Sequence, residues 1–78
     1  MTLRELRRGQ SARITKVDAG QPGVVRLMVL GLIEGAEIQF ENAAIGGDPM
    51  EVTVFGTAIS IRKQQAGNFS VSPIFEDG

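Results

Sequence analysis

The sequence predicts a mainly β domain. It reads as a small antiparallel barrel or sandwich of about five strands, with one short α-helix between strands 1 and 2 and a one-turn helix before the last strand. Three observations predict it. Several short runs alternate apolar and polar residues between Gly, Pro, Asn and Asp, as strands covering a single core do. One apolar stretch breaks that alternation and carries helix start and stop signals. The length of 78 residues leaves room for one domain and no second core.

The first strand is "SARITKV" (Ser11–Val17), with Ala12 and Ile14 on one face and Arg13 and Thr15 on the other. The second, "AEIQFEN" (Ala36–Asn42), turns Ile38 and Phe40 inward and Glu37, Gln39 and Glu41 outward. In "MEVTVF" (Met50–Phe55), Met50, Val52 and Val54 oppose Glu51 and Thr53. A tight turn at Gly56 leads into "TAISIR" (Thr57–Arg62), which brings Ile59 and Ile61 to the same side. The last strand, "NFSVSP" (Asn68–Pro73), offers Phe69 and Val71 inward and Ser70 and Ser72 outward. A one-residue slip would flip any of these faces, so the alternation also sets the register.

The helix is "PGVVRLMVL". Pro22 suits a first helical position, and Gly31 can take the left-handed conformation that ends a helix. In that ending Leu32 packs back on Leu27, and Leu27, Leu30 and Val24 supply the core face. Gly23 in the first turn is a cost. So short a helix does not hold in water unaided and must pack on the strands. Glu34-Gly35 reads as a turn with Gly35 at positive φ, and "KQQAG" (Lys63–Gly67) as a one-turn helix with Ala66 inward.

Composition narrows the function. Eight basic and nine acidic residues leave a net charge of −1, and a phosphate backbone requires unbalanced basic residues. Cysteine, histidine, tryptophan and tyrosine are absent. With them go the thiol nucleophile, the commonest general base and neutral metal ligand, and most base-stacking side chains. Small secreted domains usually rely on disulfides, so the chain is expected in the cytoplasm. "MTLRELRRGQ" lacks the apolar run of a signal peptide, and "GVVRLMVLGLI" is too short to span a bilayer.

The order "RLMVLGLIEGAEIQF", "AAIGGDPMEVTVFG", "AISIRKQQAGNFSV" resembles the FeoA family, the small cytoplasmic protein of bacterial ferrous iron uptake. Arg26, Leu27, Leu30, Gly31, Leu32 and Gly35 match that family's first motif, and Ile45, Gly47, Asp48 and Pro49 its loop. Ile61, Arg62, Ala66, Phe69 and Val71 match its end. Glu34 and Ala44 stand where the family has prolines, and Gln65 where it has glutamate. Gly46 is an extra glycine or takes the hydrophobic position itself, shifting Ile45. The resemblance implies a small SH3-like antiparallel β-barrel that binds or regulates FeoB, the iron permease with a GTPase domain. Similar domains end metal-dependent transcriptional repressors, so a stand-alone regulatory domain of that kind is the alternative.

Candidate sites follow from the same residues. "GGDP" lacks the lysine and the following helix of a P-loop, and reads as a hairpin loop in which Asp48 caps its own turn and Pro49 opens a strand. Asp48 and Glu51 are drawn most simply as solvated charge, because a ferrous site wants imidazole beside carboxylate. Arg4, Arg7 and Arg8, with Glu5 among them, read as a solvated terminus. The partner-binding candidates are Val25, Arg26, Met28 and Val29 on the helix, and Ile45, Gly46, Gly47, Asp48 and Pro49 in the loop. No catalytic residue, cofactor, metal ligand or nucleic acid is called for, and the membrane is approached only through the permease. A homo-oligomer is left open.

Overall fold

The computed structural model describes residues 1–75. Its strands are β1 (Ser11–Val17), β2 (Glu37–Ala43), β3 (Met50–Val54), β4 (Thr57–Ile61) and β5 (Phe69–Ile74). Helix α1 (Val24–Val29) lies between β1 and β2, and α2 (Lys63–Ala66) between β4 and β5. A single 3-10 turn at Leu3–Glu5 precedes them and has no counterpart in the sequence reading.

All five strands join one antiparallel sheet in the order β4-β3-β2-β1-β5. Strand β2 pairs with β1 over Glu37–Gln39 and with β3 from Ile38 to Ala43. Register shifts between Ile14 and Lys16 and between Phe40 and Asn42 bend these long strands, as bulges do. The sheet therefore curls around one core without closing between β4 and β5. Helix α2 links those two edges and packs on the 3-10 turn.

The alternation is kept. Ala12, Ile14, Ile38, Met50, Val52, Val54, Ile59, Ile61, Phe69 and Val71 are buried, and no polar or charged residue is buried among the described residues. Phe40 is only partly buried, packed at the flank of the core. Beneath the sheet, Leu3, Leu6 and Ala66 close the open end.

Helix α1 starts later than Pro22. Gly23 has a φ of 80°, so the chain turns there and the helix begins at Val24. Its end follows the expected motif. The N–H of Leu32 donates to the Leu27 carbonyl at 3.1 Å and that of Gly31 to Met28 at 3.0 Å. Leu27 and Leu32 are both fully buried in the same cluster. Leu30, read as core, is instead 48% exposed. At about 100° per residue it lies roughly 60° past Leu27, off the face that Val24 and Leu27 turn inward.

The turn after α1 explains one departure. The Ala36 N–H donates to the Ile33 carbonyl at 3.1 Å and Gly35 has a φ of 88°, as a type II turn requires. Glu34 thus occupies the position where proline is favoured but not needed.

The 3-10 turn is held by a carboxylate. Glu5 Oε1 accepts from the Thr2 N–H at 2.8 Å and from the Thr2 hydroxyl at 3.2 Å. The backbone bond from Thr2, then the hydroxyl bond, hold the Glu5 carboxyl below its ordinary value of 4.5. A lowered folded-state pKa stabilises above the unfolded value and is lost as pH falls through the folded one. Acidification to well below 4.5, through that lowered folded-state value, is therefore expected to free the Thr2 amide. NMR titration of that amide checks it; a Glu5 carboxyl titrating at or above 4.5 would contradict it.

Candidate functional site

One group of exposed apolar side chains gathers at the end of α1. Val25 and Val29 are spaced i, i+4 and share one face of the helix, with Val29 81% exposed. Leu30, the C-cap residue, and Ile33 continue that surface. Phe55 joins it from the β3–β4 turn: a Cβ at Gly31 would lie 3.1 Å from Cδ2 of the Phe55 ring. The ring therefore rests on the glycine that ends the helix. Gly31 has a φ of 123°, so any larger residue there would face both a strained backbone and this ring.

Phe55 is held in an unusual conformation. It and Gly56 form a two-residue turn between the paired Val54 and Thr57, with φ of 50° and 75°. Positive φ at both positions is type I′ geometry, which favours Asn-Gly. Phe55 is the only non-glycine residue at positive φ among the described residues, and it is 72% exposed. A bulky residue pays strain there without burying its ring.

The helix and loop named from the sequence do not form one surface through direct contact. Val25, Val29 and Arg26 are exposed, while Met28 is half-buried against the core. In the loop, the Gly47 N–H donates to the Ala44 carbonyl at 2.7 Å, which places Ile45 fully exposed at the tip beside Gly46. Pro49, half-buried, lies behind a cis Asp48–Pro49 bond. Asp48 does not cap its own turn. Its Oδ1 accepts from the Lys63 N–H at 3.1 Å and so caps α2. On the other side of α2, Gln65 packs against Gly23 at the start of α1. Helix α2 thus stands between the two candidates.

Among the described residues no group of acidic side chains is arranged to hold a metal ion. Across the outer face of β1 and β2, Arg13 Nη2 meets Glu37 Oε1 at 2.8 Å. Both are largely exposed, so the pair is worth under about 1 kcal/mol. The surface at the end of α1 is apolar in character. It presents branched aliphatic groups and one aromatic ring, rimmed by Arg26 and Glu34, with no buried ionisable group behind it.

The sequence family model for the FeoA domain matches residues 1–73. The chain belongs to the FeoA family. Solved FeoA structures agree with it in fold. The FeoA protein of Chlorobium tepidum is 37% identical with a TM-score of 0.88, covering 100% of this chain and 74% of that one. Stenotrophomonas maltophilia FeoA, solved with zinc and described as a prokaryotic SH3 domain protein, is 30% identical with a TM-score of 0.76, covering 92% and 89%. The same fold extends to T. acidophilum IdeR, 25% identical with a TM-score of 0.81, where 95% of this chain covers 34% of that one. A comparison with curated proteins finds no match. As a FeoA-family chain it is a small SH3-like domain of ferrous iron transport. No described helix is long and apolar enough to cross a membrane.

Leu30, Ile33 and Phe55 are the surface residues that the sequence reading missed. Local pattern places Leu30 in the helix core and Phe55 in the third strand. The signal for Phe55 was present: an aromatic directly before glycine, in a gap of two residues between alternating runs.

Proposed function

We propose that this FeoA-family chain is a non-enzymatic accessory of bacterial ferrous iron uptake that acts in the cytoplasm by binding a FeoB-type permease. Ferrous iron is the permease's cargo in this reading and is not held by this chain. The observation that carries it is the apolar surface of Val29, Leu30, Ile33 and Phe55, which includes a strained aromatic that the fold itself does not need. Exposed patches of this kind, rimmed by charge, mark docking sites. Docking would bias transport or GTP turnover on the permease without chemistry here.

Retention of the detergent-solubilised permease on the immobilised chain tests this. Val29→Asp is expected to lose retention, since it places a charge in the apolar surface. Ile45→Asp reports separately on the loop. Retention of the permease by Val29→Asp and Ile45→Asp at the parent's level would remove both surfaces and the reading with them. The likeness to T. acidophilum IdeR supports a second reading, a regulatory domain acting on another chain. In that case the permease would not be retained by the parent either.

A further inference from the structure

The two edges of the sheet are treated differently. The edge of β5 is occupied: the Val71 N–H donates to the Met1 carbonyl at 2.9 Å, and Thr2 bridges to Ser70. The edge of β4 carries no backbone or side-chain hydrogen bond from any described residue outside the sheet. We propose that the β4 edge pairs with the β4 edge of a second copy of this chain, antiparallel and two-fold symmetric about Ile59. This inference does not rest on the permease reading.

The turn sets which groups are free. Val54 and Thr57 flank a two-residue turn and form its hydrogen-bonded pair. Alternation then makes Thr57, Ile59 and Ile61 bond to β3, while Ala58 and Ser60 point their N–H and C=O groups outward. In the symmetric pair Ala58 of each copy lies opposite Ser60 of the other. Each of these pairs exchanges both backbone hydrogen bonds. The exposed side chains that meet are small and neutral.

Natural edge strands are usually guarded by lysine, proline, an inward charge or a bulge. "TAISI" (Thr57–Ile61) has no charge and no proline, and its register with β3 is unshifted from Val54↔Thr57 to Met50↔Ile61. The nearest basic residue, Arg62, would face Gly56 of the other copy. Like charges of the two copies then sit about 20 Å apart along the strands, beyond the Debye length of about 8 Å.

Closure also follows. A β4-to-β5 contact would build an open ladder of copies, but Met1 and Thr2 already lie on β5 at Ser70 and Val71. A β4-to-β4 contact is isologous and stops at two. Two such edges bury less than the roughly 1,200 Å² of a standard interface, so the pair is weak and set by concentration.

The test compares the chain at about 20 μM and at about 1 mM, concentrations that bracket weak association. Sedimentation is expected to show the mass rising toward double. Hydrogen exchange at the Ala58 and Ser60 amides is expected to slow at least several-fold at the higher concentration. Ala58→Lys and Ser60→Pro should abolish both changes. Ser60→Pro removes an outward N–H that the β3 ladder does not use. Unchanged exchange at the two amides would overturn the proposal, as would a dimer that survives in both variants. Protection that appears only when the permease is added would assign this edge to that partner instead and also overturn it. The parent's exchange rates decide the matter even where a variant fails to fold.

Discussion

Replacing Phe55 by asparagine should leave the chain more stable and a poorer partner for the permease. Asparagine tolerates the left-handed conformation that Phe55 is held in at a φ of 50°. Relief of that strain is worth on the order of 1 kcal/mol, against a small loss where the ring rests on Gly31. In a domain of this size a gain of about 1 kcal/mol raises the Tm by roughly 4–8 °C. The same change removes an exposed aromatic from the apolar surface beside Leu30 and Ile33. A centrally placed aromatic in an interface contributes about 2 kcal/mol or more, so affinity should drop about 30-fold. Thermal melts and a binding titration on one sample read both quantities. A rise in Tm with undiminished binding would take Phe55 out of the docking surface. A fall in Tm would show that the ring's contact with Gly31 outweighs the strain.

Phe69→Ala should come close to unfolding the chain. Phe69 is the largest fully buried side chain, and it lies where β5 pairs Val17 at the end of β1. Truncating a buried phenylalanine costs about 3–5 kcal/mol. A chain this short has roughly 4–12 kcal/mol in total. Urea unfolding followed by far-UV circular dichroism should show the midpoint falling by at least a quarter, or no folded baseline. A loss of less than about 1 kcal/mol would mean that the surrounding side chains collapse into the space, and that the core is centred elsewhere.

The contrast between these two phenylalanines shows what local pattern can and cannot tell. Phe69 stands second in an alternating run with Val71, so its inward direction is legible from the sequence. Phe55 ends a run of the same kind, and the alternation would carry it outward as one more strand residue. Its role depends on the two-residue turn and on Gly31, which lies far from it in the chain. Asp48 repeats the lesson. Its place in the "GGDP" hairpin loop reads as a cap on its own turn, yet it caps α2 at Lys63, across the fold. Leu30 departs for a different reason: it is the C-cap of the helix, one step past Val29, where the inward face has already rotated away.

The sequence by itself determined the five strands, their inward faces, both helices, the glycine-ended cap with Leu27 and Leu32, and membership of the family. Each of these rests on the spacing of residues a few places apart, and burial of one face then follows from the hydrophobic effect. Tertiary structure alone decided where the sheet stays open, which edge the first residues cover, and that Phe55 meets the end of α1. Those outcomes depend on which distant segments meet when the core closes, and chain order does not encode that distance.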